Sequence, residues 1–135
     1  MERIKRLAID SMILIYLLEG NERFSKKVLE KLTSADELLL STLGMAEILT
    51  GFEKAGDTEG KLKFLSFIGS YEKLSVVGFG KQEALIFARL RARYPKVKPP
   101  DAIHLATALS GRADAFLSND KALACVEEVK VLLLE

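Results

Sequence analysis

The sequence predicts an α/β fold: a three-layer α/β/α sandwich around a central parallel sheet of four or five strands. Short apolar runs with few polar positions recur along the chain, as in Leu7-Ala8-Ile9 and Leu38-Leu39-Leu40. A strand without a polar face belongs in a sheet covered on both sides. Between these runs lie segments with apolar residues at helical spacing, and strands that alternate with helices build parallel sheets through crossover connections. With 135 residues, 49% hydrophobic and 29% charged, the chain is large enough for one core and too apolar for disorder. It shows no internal repeat, low-complexity tract or linker, so residues 1–135 read as one domain.

Arg6-Leu7-Ala8-Ile9 is the first strand, ending at Asp10-Ser11, and a helical run follows from Met12 to Glu19, closed by Gly20-Asn21. A second amphipathic helix is expected from Phe24 to Leu32. Glu37-Leu38-Leu39-Leu40-Ser41 forms the next strand, and Leu43 to Lys54 the next helix, which Gly56-Asp57 breaks. Helical spacing resumes from Lys61 to Ile68, and Lys73-Leu74-Ser75-Val76-Val77 is a third strand. Lys81 to Arg93 reads as a helix with an apolar side of Ala84, Leu85, Phe87, Ala88 and Leu90. Tyr94-Pro95 ends it, because the residue before a proline is driven out of helical backbone. Pro99-Pro100 suits the first turn of a helix, where a missing N–H costs nothing, and leads into Ala102 to Ser110. Ala115-Phe116-Leu117 is a strand, Asn119 to Cys125 a short helix and Val129 to Leu133 the last strand.

Composition narrows the chemistry. Twenty Lys and Arg against 19 Asp and Glu leave a net charge of +1, so no global basic field exists to hold a polyanion and any such partner must be gripped locally. One cysteine, Cys125, excludes an intramolecular disulfide framework and a Cys-rich zinc site; one histidine, His104, excludes a multi-His metal site. A reducing, cytoplasmic setting is the expectation. The stretch to Leu18 after Arg3, Lys5 and Arg6 mimics a secretion leader, but Asp10 interrupts it and no small-residue cleavage site follows. No apolar run approaches the roughly 18 residues of a membrane span, so no membrane partner is expected.

In open parallel sheets, ligands gather outside the carboxyl ends of the strands. Asp10 directly follows the first strand, Asp120 follows the strand ending near Leu117, and Asp101 lies in the first turn of the helix begun by Pro99-Pro100. Three carboxylates can therefore converge, although each could equally serve as a helix cap or first-turn acid. Glu47 sits mid-helix opposite the apolar face of Met45, Ile48, Leu49 and Phe52. Gly44 and Gly51 flank it, at about 1 kcal/mol each relative to alanine, so a close backbone approach beside Glu47 is expected.

Taken together, Leu7-Ala8-Ile9-Asp10-Ser11, Glu47 within Ala46-Glu47-Ile48, Pro100-Asp101-Ala102-Ile103-His104-Leu105-Ala106-Thr107-Ala108, and Phe116-Leu117-Ser118-Asn119-Asp120 resemble a PIN-domain ribonuclease, most of all the VapC-type toxins of toxin-antitoxin pairs. The resemblance spans almost the whole chain and implies that Asp10, Glu47, Asp101 and Asp120 form an acidic quartet holding Mg²⁺ or Mn²⁺. It also implies cleavage of RNA to 5′-phosphate and 3′-hydroxyl ends, an antitoxin partner and a homodimer. Ser118 stands where threonine is commoner in the family, and keeps the hydroxyl. The chemistry agrees: crowded carboxylates repel or bind protons unless a hard cation compensates, and such cations take oxygen ligands while keeping water and phosphate in their shells.

Around the quartet, Ser11, His104, Ser118 and Asn119 are expected to support the acids. His104 lies one turn after Asp101 and can share its helix face, as a half-buried histidine bonded to a neighbour. Arg89, Arg91, Arg93, Lys96 and Lys98 form a basic segment just before Asp101 that could guide an RNA backbone or merely complement a helix end. Two alternatives stay open: a non-catalytic PIN module that binds RNA or protein, and a small PIN nuclease of RNA processing without an antitoxin. A phosphoacceptor receiver or a haloacid-dehalogenase-type phosphatase fits poorly, because Asp10 is followed by Ser11-Met12 and lacks the partner acid those folds need.

Overall fold

The structure, a computed structural model, describes residues 3–135. Its strands are β1 (Arg6–Ile9), β2 (Glu37–Ser41), β3 (Leu74–Val77), β4 (Ala115–Ser118) and β5 (Lys130–Leu133). They form one five-stranded sheet in the order β3-β2-β1-β4-β5, with every pairing parallel. The helices are α1 (Ser11–Leu18), α2 (Ser25–Ser34), α3 (Thr42–Ala55), α4 (Thr58–Ser70), α5 (Lys81–Arg93) and α6 (Pro99–Ser110). The expected α/β/α sandwich is present.

Side chains alternate across the pleat, so the apolar strands feed two separate cores. Leu7, Ile9, Leu38, Leu40 and Leu117 face Ile13 and Leu14 of α1, Val28 and Leu32 of α2, Ile48 of α3 and Phe64 of α4. Ala8, Leu39 and Phe116 turn the other way, onto Leu90 of α5 and Ala102, Leu105 and Ala106 of α6. Full burial of such a side chain is worth about 1.5–3 kcal/mol, and both faces need it, which is why these strands carry so few polar residues.

Three local expectations are corrected. Helix α4 begins at Thr58 instead of Lys61, because the Gly56-Asp57 pair both ends one helix and caps the next. Gly56 adopts φ +64°, and Asp57 Oδ1 accepts from Gly60 N at 2.8 Å. The short helix after β4 is a tighter 3₁₀ turn over Lys121–Cys125. Helix α5 is rotated relative to its expected face: Leu90 is buried and Ile86 and Phe87 half-buried, whereas Ala84, Leu85 and Ala88 are exposed, Leu85 by 62%. Its main neighbour is α6, and a helix seated on another helix buries a narrower stripe than one lying on a sheet.

The connections leaving β1 and β4 run to opposite sides of the sheet, β1 toward β2 and β4 toward β5. A crevice must open between their carboxyl ends, the topological switch point where open sheets bind ligands. At its base, Asp10 N donates to Leu117 O at 3.3 Å and ties the two strand ends together. Among the described residues no helix is long and apolar enough to cross a membrane.

At the opposite edge Asp114 performs the equivalent pinning. Its Oδ2 accepts from the backbone N–H of both Lys5 and Arg6 at 2.9 Å. The bond from Arg6 is the leading reason why its carboxyl is held below the usual range. A depressed native value adds stability above the unfolded pKa, lost as pH falls through the native one. Asp114→Asn is therefore expected to cost about 1 kcal/mol at pH 7, given the exposure of the pair. In urea unfolding, the gap from wild type should narrow steadily as pH falls below the usual carboxylate range.

Candidate active site

The crevice at the switch point is a cavity of about 420 Å³ lined by Asp10, Ser11, Met12, Tyr16, Glu47, Asp101, His104, Asn119 and Asp120. The four acids singled out in the sequence lie 110 positions apart at their extremes, and the fold brings all of them to this one wall. Ser118, fully buried, stands directly behind it.

Asp10 is both the cap of α1 and a cavity acid. Its Oδ1 accepts from Ile13 N at 3.2 Å, and its Oδ2 accepts from Ser118 Oγ at 2.5 Å. Burial pushes its carboxyl above the ordinary value, against the lowering effect of these two bonds. Asp120 likewise caps, accepting from Ala122 N at 2.9 Å, while its own N–H donates to Ser118 Oγ at 3.1 Å. Ser118 thus links the acids that follow β1 and β4. Capping and site roles, alternatives when each acid is taken alone, coexist in the same side chains.

Asp101 reaches the cavity from the first turn of α6. Its carboxyl is also raised, first by burial, then by the negative charge of Asp120, with a further contribution from Glu47; His104 and Lys98 oppose this. The acids therefore feel one another, as a set gathered to share a cation would. Every one of them offers hard oxygen donors, the ligand type Mg²⁺ and Mn²⁺ take, so the residues fit such an ion. Among the described residues, no group of three His, Cys, Asp or Glu side chains already stands in metal-holding arrangement; the acids line the wall without closing into a cage.

Glu47 projects from α3 opposite the packed face of Met45, Ile48, Leu49 and Phe52. Its Oε1 accepts from Ser11 Oγ at 3.1 Å and pairs with His104 Nε2 at 2.9 Å. His104, buried on α6, therefore steadies Glu47 and not its own helix neighbour Asp101. Its other nitrogen, Nδ1, meets Ser41 Oγ at 2.6 Å. Sequence reasoning missed Ser41, whose only local signal is that of a helix cap. It also missed Met12 and Tyr16, although their i,i+4 spacing places them on one helix face. Asn119 lines the cavity and lies 3.5 Å from the Tyr16 hydroxyl.

The close approach expected beside Glu47 occurs at one glycine only. A Cβ on Gly44 would fall 2.7 Å from Cδ1 of the buried Leu40, whereas one on Gly51 would meet nothing within 4 Å.

The basic segment divides. Arg91 donates to the carbonyls of Pro95 and Val97 and so closes the turn after α5. Arg93 pairs with Glu127 at 2.8 Å and Glu128 at 3.3 Å. These two are engaged in holding the fold. Arg89, Lys96 and Lys98 are exposed, and Lys98 is the one whose charge acts on a cavity acid, Asp101.

The PIN domain family model matches residues 7–129, and the chain belongs to the PIN-domain family. Its fold is similar to that of a toxin-antitoxin complex from Klebsiella pneumoniae, with TM-score 0.76, 24% identity, and coverage of 96% of this chain and 98% of that one. VapBC2 from Rickettsia felis, solved bound to a DNA fragment from its promoter, gives TM-score 0.75 at 16% identity over 95% of this chain and 98% of that one. Mycobacterium tuberculosis VapC20, a sarcin-ricin-loop-cleaving toxin, gives 0.71 at 12% identity over 92% and 98%. A search of curated proteins finds no significant match.

Two measurements follow from this geometry. Gly44→Ala is expected to destabilise by about 1–3 kcal/mol through overpacking against Leu40, while Gly51→Ala gains up to about 1 kcal/mol of helix propensity; urea unfolding at neutral pH reads both. The raised carboxyl of Asp101 has the opposite sign to Asp114. An acid whose native value lies above its unfolded value opposes folding once pH rises through that window. Without divalent metal, Asp101→Asn should match wild type near pH 3 and equal or exceed it at pH 7, by no more than about 1 kcal/mol given its partial exposure.

Proposed function

We propose that the protein is a Mg²⁺- or Mn²⁺-dependent endoribonuclease and the toxin of a toxin-antitoxin pair, acting in the cytoplasm. The observation that carries this reading is the convergence of Asp10, Glu47, Asp101 and Asp120 on one cavity at the switch point of the sheet. These four would hold the cation. When bound, it supplies a water activated for attack on phosphorus and positive charge to offset that developing on the phosphoryl and leaving oxygens.

The chain's own residues account for the rest. Ser118 holds Asp10 from behind and Ser11 and His104 hold Glu47 from one side, so both carboxylates keep their orientation when an RNA strand arrives. Lys98, at the start of α6, offers a cation for the phosphate backbone beside Asp101. Met12, 43% exposed, and Tyr16 give the same cavity an apolar wall for a sugar or base, in keeping with the stacking by which single-stranded RNA is recognised. Cleavage leaves 5′-phosphate and 3′-hydroxyl ends.

For the antitoxin, support comes from the toxin-antitoxin complexes that share the fold and from an apolar groove of about 520 Å³. It lies between α1, α3 and α4 and is lined by Ile15, Leu18, Ile48, Phe52, Phe64 and Phe67. Helix α1 contributes to both groove and cavity, so a segment seated in the groove would stand next to the acids. Exposed Leu62, Phe79 and Leu85 supply apolar surface for the proposed homodimer.

Purified protein with Mn²⁺ is expected to cleave RNA containing single-stranded loops, and Asp10→Asn, Asp101→Asn or Asp120→Asn to reduce the rate at least about a hundredfold with unchanged circular dichroism. Cleavage that persists undiminished in EDTA, in preparations free of contaminating nuclease, would falsify the reading.

A further inference from the structure

A chain of hydrogen bonds runs behind Glu47, anchored at one end on a backbone donor. Gly44 N–H donates to Ser41 Oγ at 2.9 Å. With one lone pair engaged there, the Ser41 hydroxyl still has a proton to place, and among the described residues the one acceptor bonded to it is His104 Nδ1 at 2.6 Å. Ser41 and His104 are both 4% exposed, so water is not an alternative. A hydroxyl that donates to Nδ1 requires that nitrogen to be the bare acceptor. The ring proton then sits on Nε2, 2.9 Å from Glu47 Oε1, where it donates to the carboxylate. Ser11 Oγ, with a proton of its own, donates to the same oxygen. Among the described residues none donates to Oε2, which is left for the cavity.

We propose that Ser41 is a positioning residue for Glu47: by donating to Nδ1 it locks His104 in the Nε2–H tautomer, which holds one carboxylate oxygen and leaves the other to a divalent cation. The metal part of this rests on the reading of Glu47 as a cation-holding acid. Without the Ser41 hydroxyl, His104 can carry its proton on Nδ1 and turn a bare Nε2 lone pair toward Oε1, which repels the carboxylate instead of holding it. Because Ser41 caps α3 and His104 lies one turn after Asp101 on α6, the same chain fixes the spacing between the helices that carry two of the acids. A metal-supporting imidazole whose tautomer is set by the partner of its other nitrogen is a general device; here it acts one bond further out, on a carboxylate.

The protein has a single histidine, so ¹⁵N-labelled imidazole gives one pair of ring-nitrogen resonances. The wild type with its imidazole neutral is expected to show a protonated Nε2 and a bare Nδ1. Ser41→Ala should mix the two tautomers and weaken Mn²⁺ binding, followed by calorimetry, about tenfold; Ser41→Thr, which keeps the hydroxyl and the cap, should restore both. A protonated Nδ1 in the wild type overturns the proposal, as does Ser41→Ala with tautomer and Mn²⁺ affinity unchanged. If Ser41→Ala does not fold, the wild-type and Ser41→Thr spectra decide. None of these readings uses RNA: a protein that keeps this tautomer and binds Mn²⁺ through Glu47 yet cleaves nothing refutes the nuclease reading alone. Mn²⁺ binding untouched by Glu47→Gln refutes the metal part of the proposal.

Discussion

Asp10 is a carboxylate half sunk between the ends of two central strands. Burial works against its charge, and what offsets that cost is local: the N–H of Ile13 at the start of α1 and the hydroxyl of Ser118 at the end of β4. The first bond starts a helix directly from the strand. The second fixes that helix against the neighbouring strand, and Asp10 N donating to Leu117 O seals the join. With β1 and β4 joined this way and their connections leading to opposite edges of the sheet, the cavity is the space between them.

The other acids are delivered by elements whose placement depends on that sheet. Helix α3 follows β2, and α6 packs across the face that carries Ala8, Leu39 and Phe116. Glu47 and Asp101 come into electrostatic contact because a helix from each layer begins beside the same strand ends. The carboxyls of Asp10 and Asp101 are raised first by burial in a partly dry crevice, with a further contribution at Asp101 from the charges of Asp120 and Glu47. Such an arrangement costs stability at the strand ends.

Polar atoms behind the acids are used economically. Ser118 serves Asp10 and Asp120 at once, and Ser41 serves a helix cap and His104 at once. Among the described residues no buried side-chain nitrogen or oxygen lacks a hydrogen-bond partner. By contrast, two cations of the basic segment serve the architecture: Arg91 closes the turn after α5 and Arg93 ties its end to the chain before β5, while Lys98 stays exposed beside Asp101. A basic run in a sequence therefore overstates the charge free to meet a polyanion.

By itself the sequence determined the strands, the order of helices and the placement of Asp10, Asp101 and Asp120 at element ends. These features are local: an apolar run, a cap or a helix-starting proline acts within a few residues. Glu47 was legible only as one part of a pattern spread along the chain, since a mid-helix glutamate has no local mark. Tertiary structure alone decided the face α5 buries, the partners of Arg93 and the bond between Ser41 and His104, 63 residues apart. Each of these depends on the distance at which segments remote in the chain come to rest against one another once helices and loops are packed on the sheet. That distance comes from packing both cores, and no short stretch of sequence encodes it.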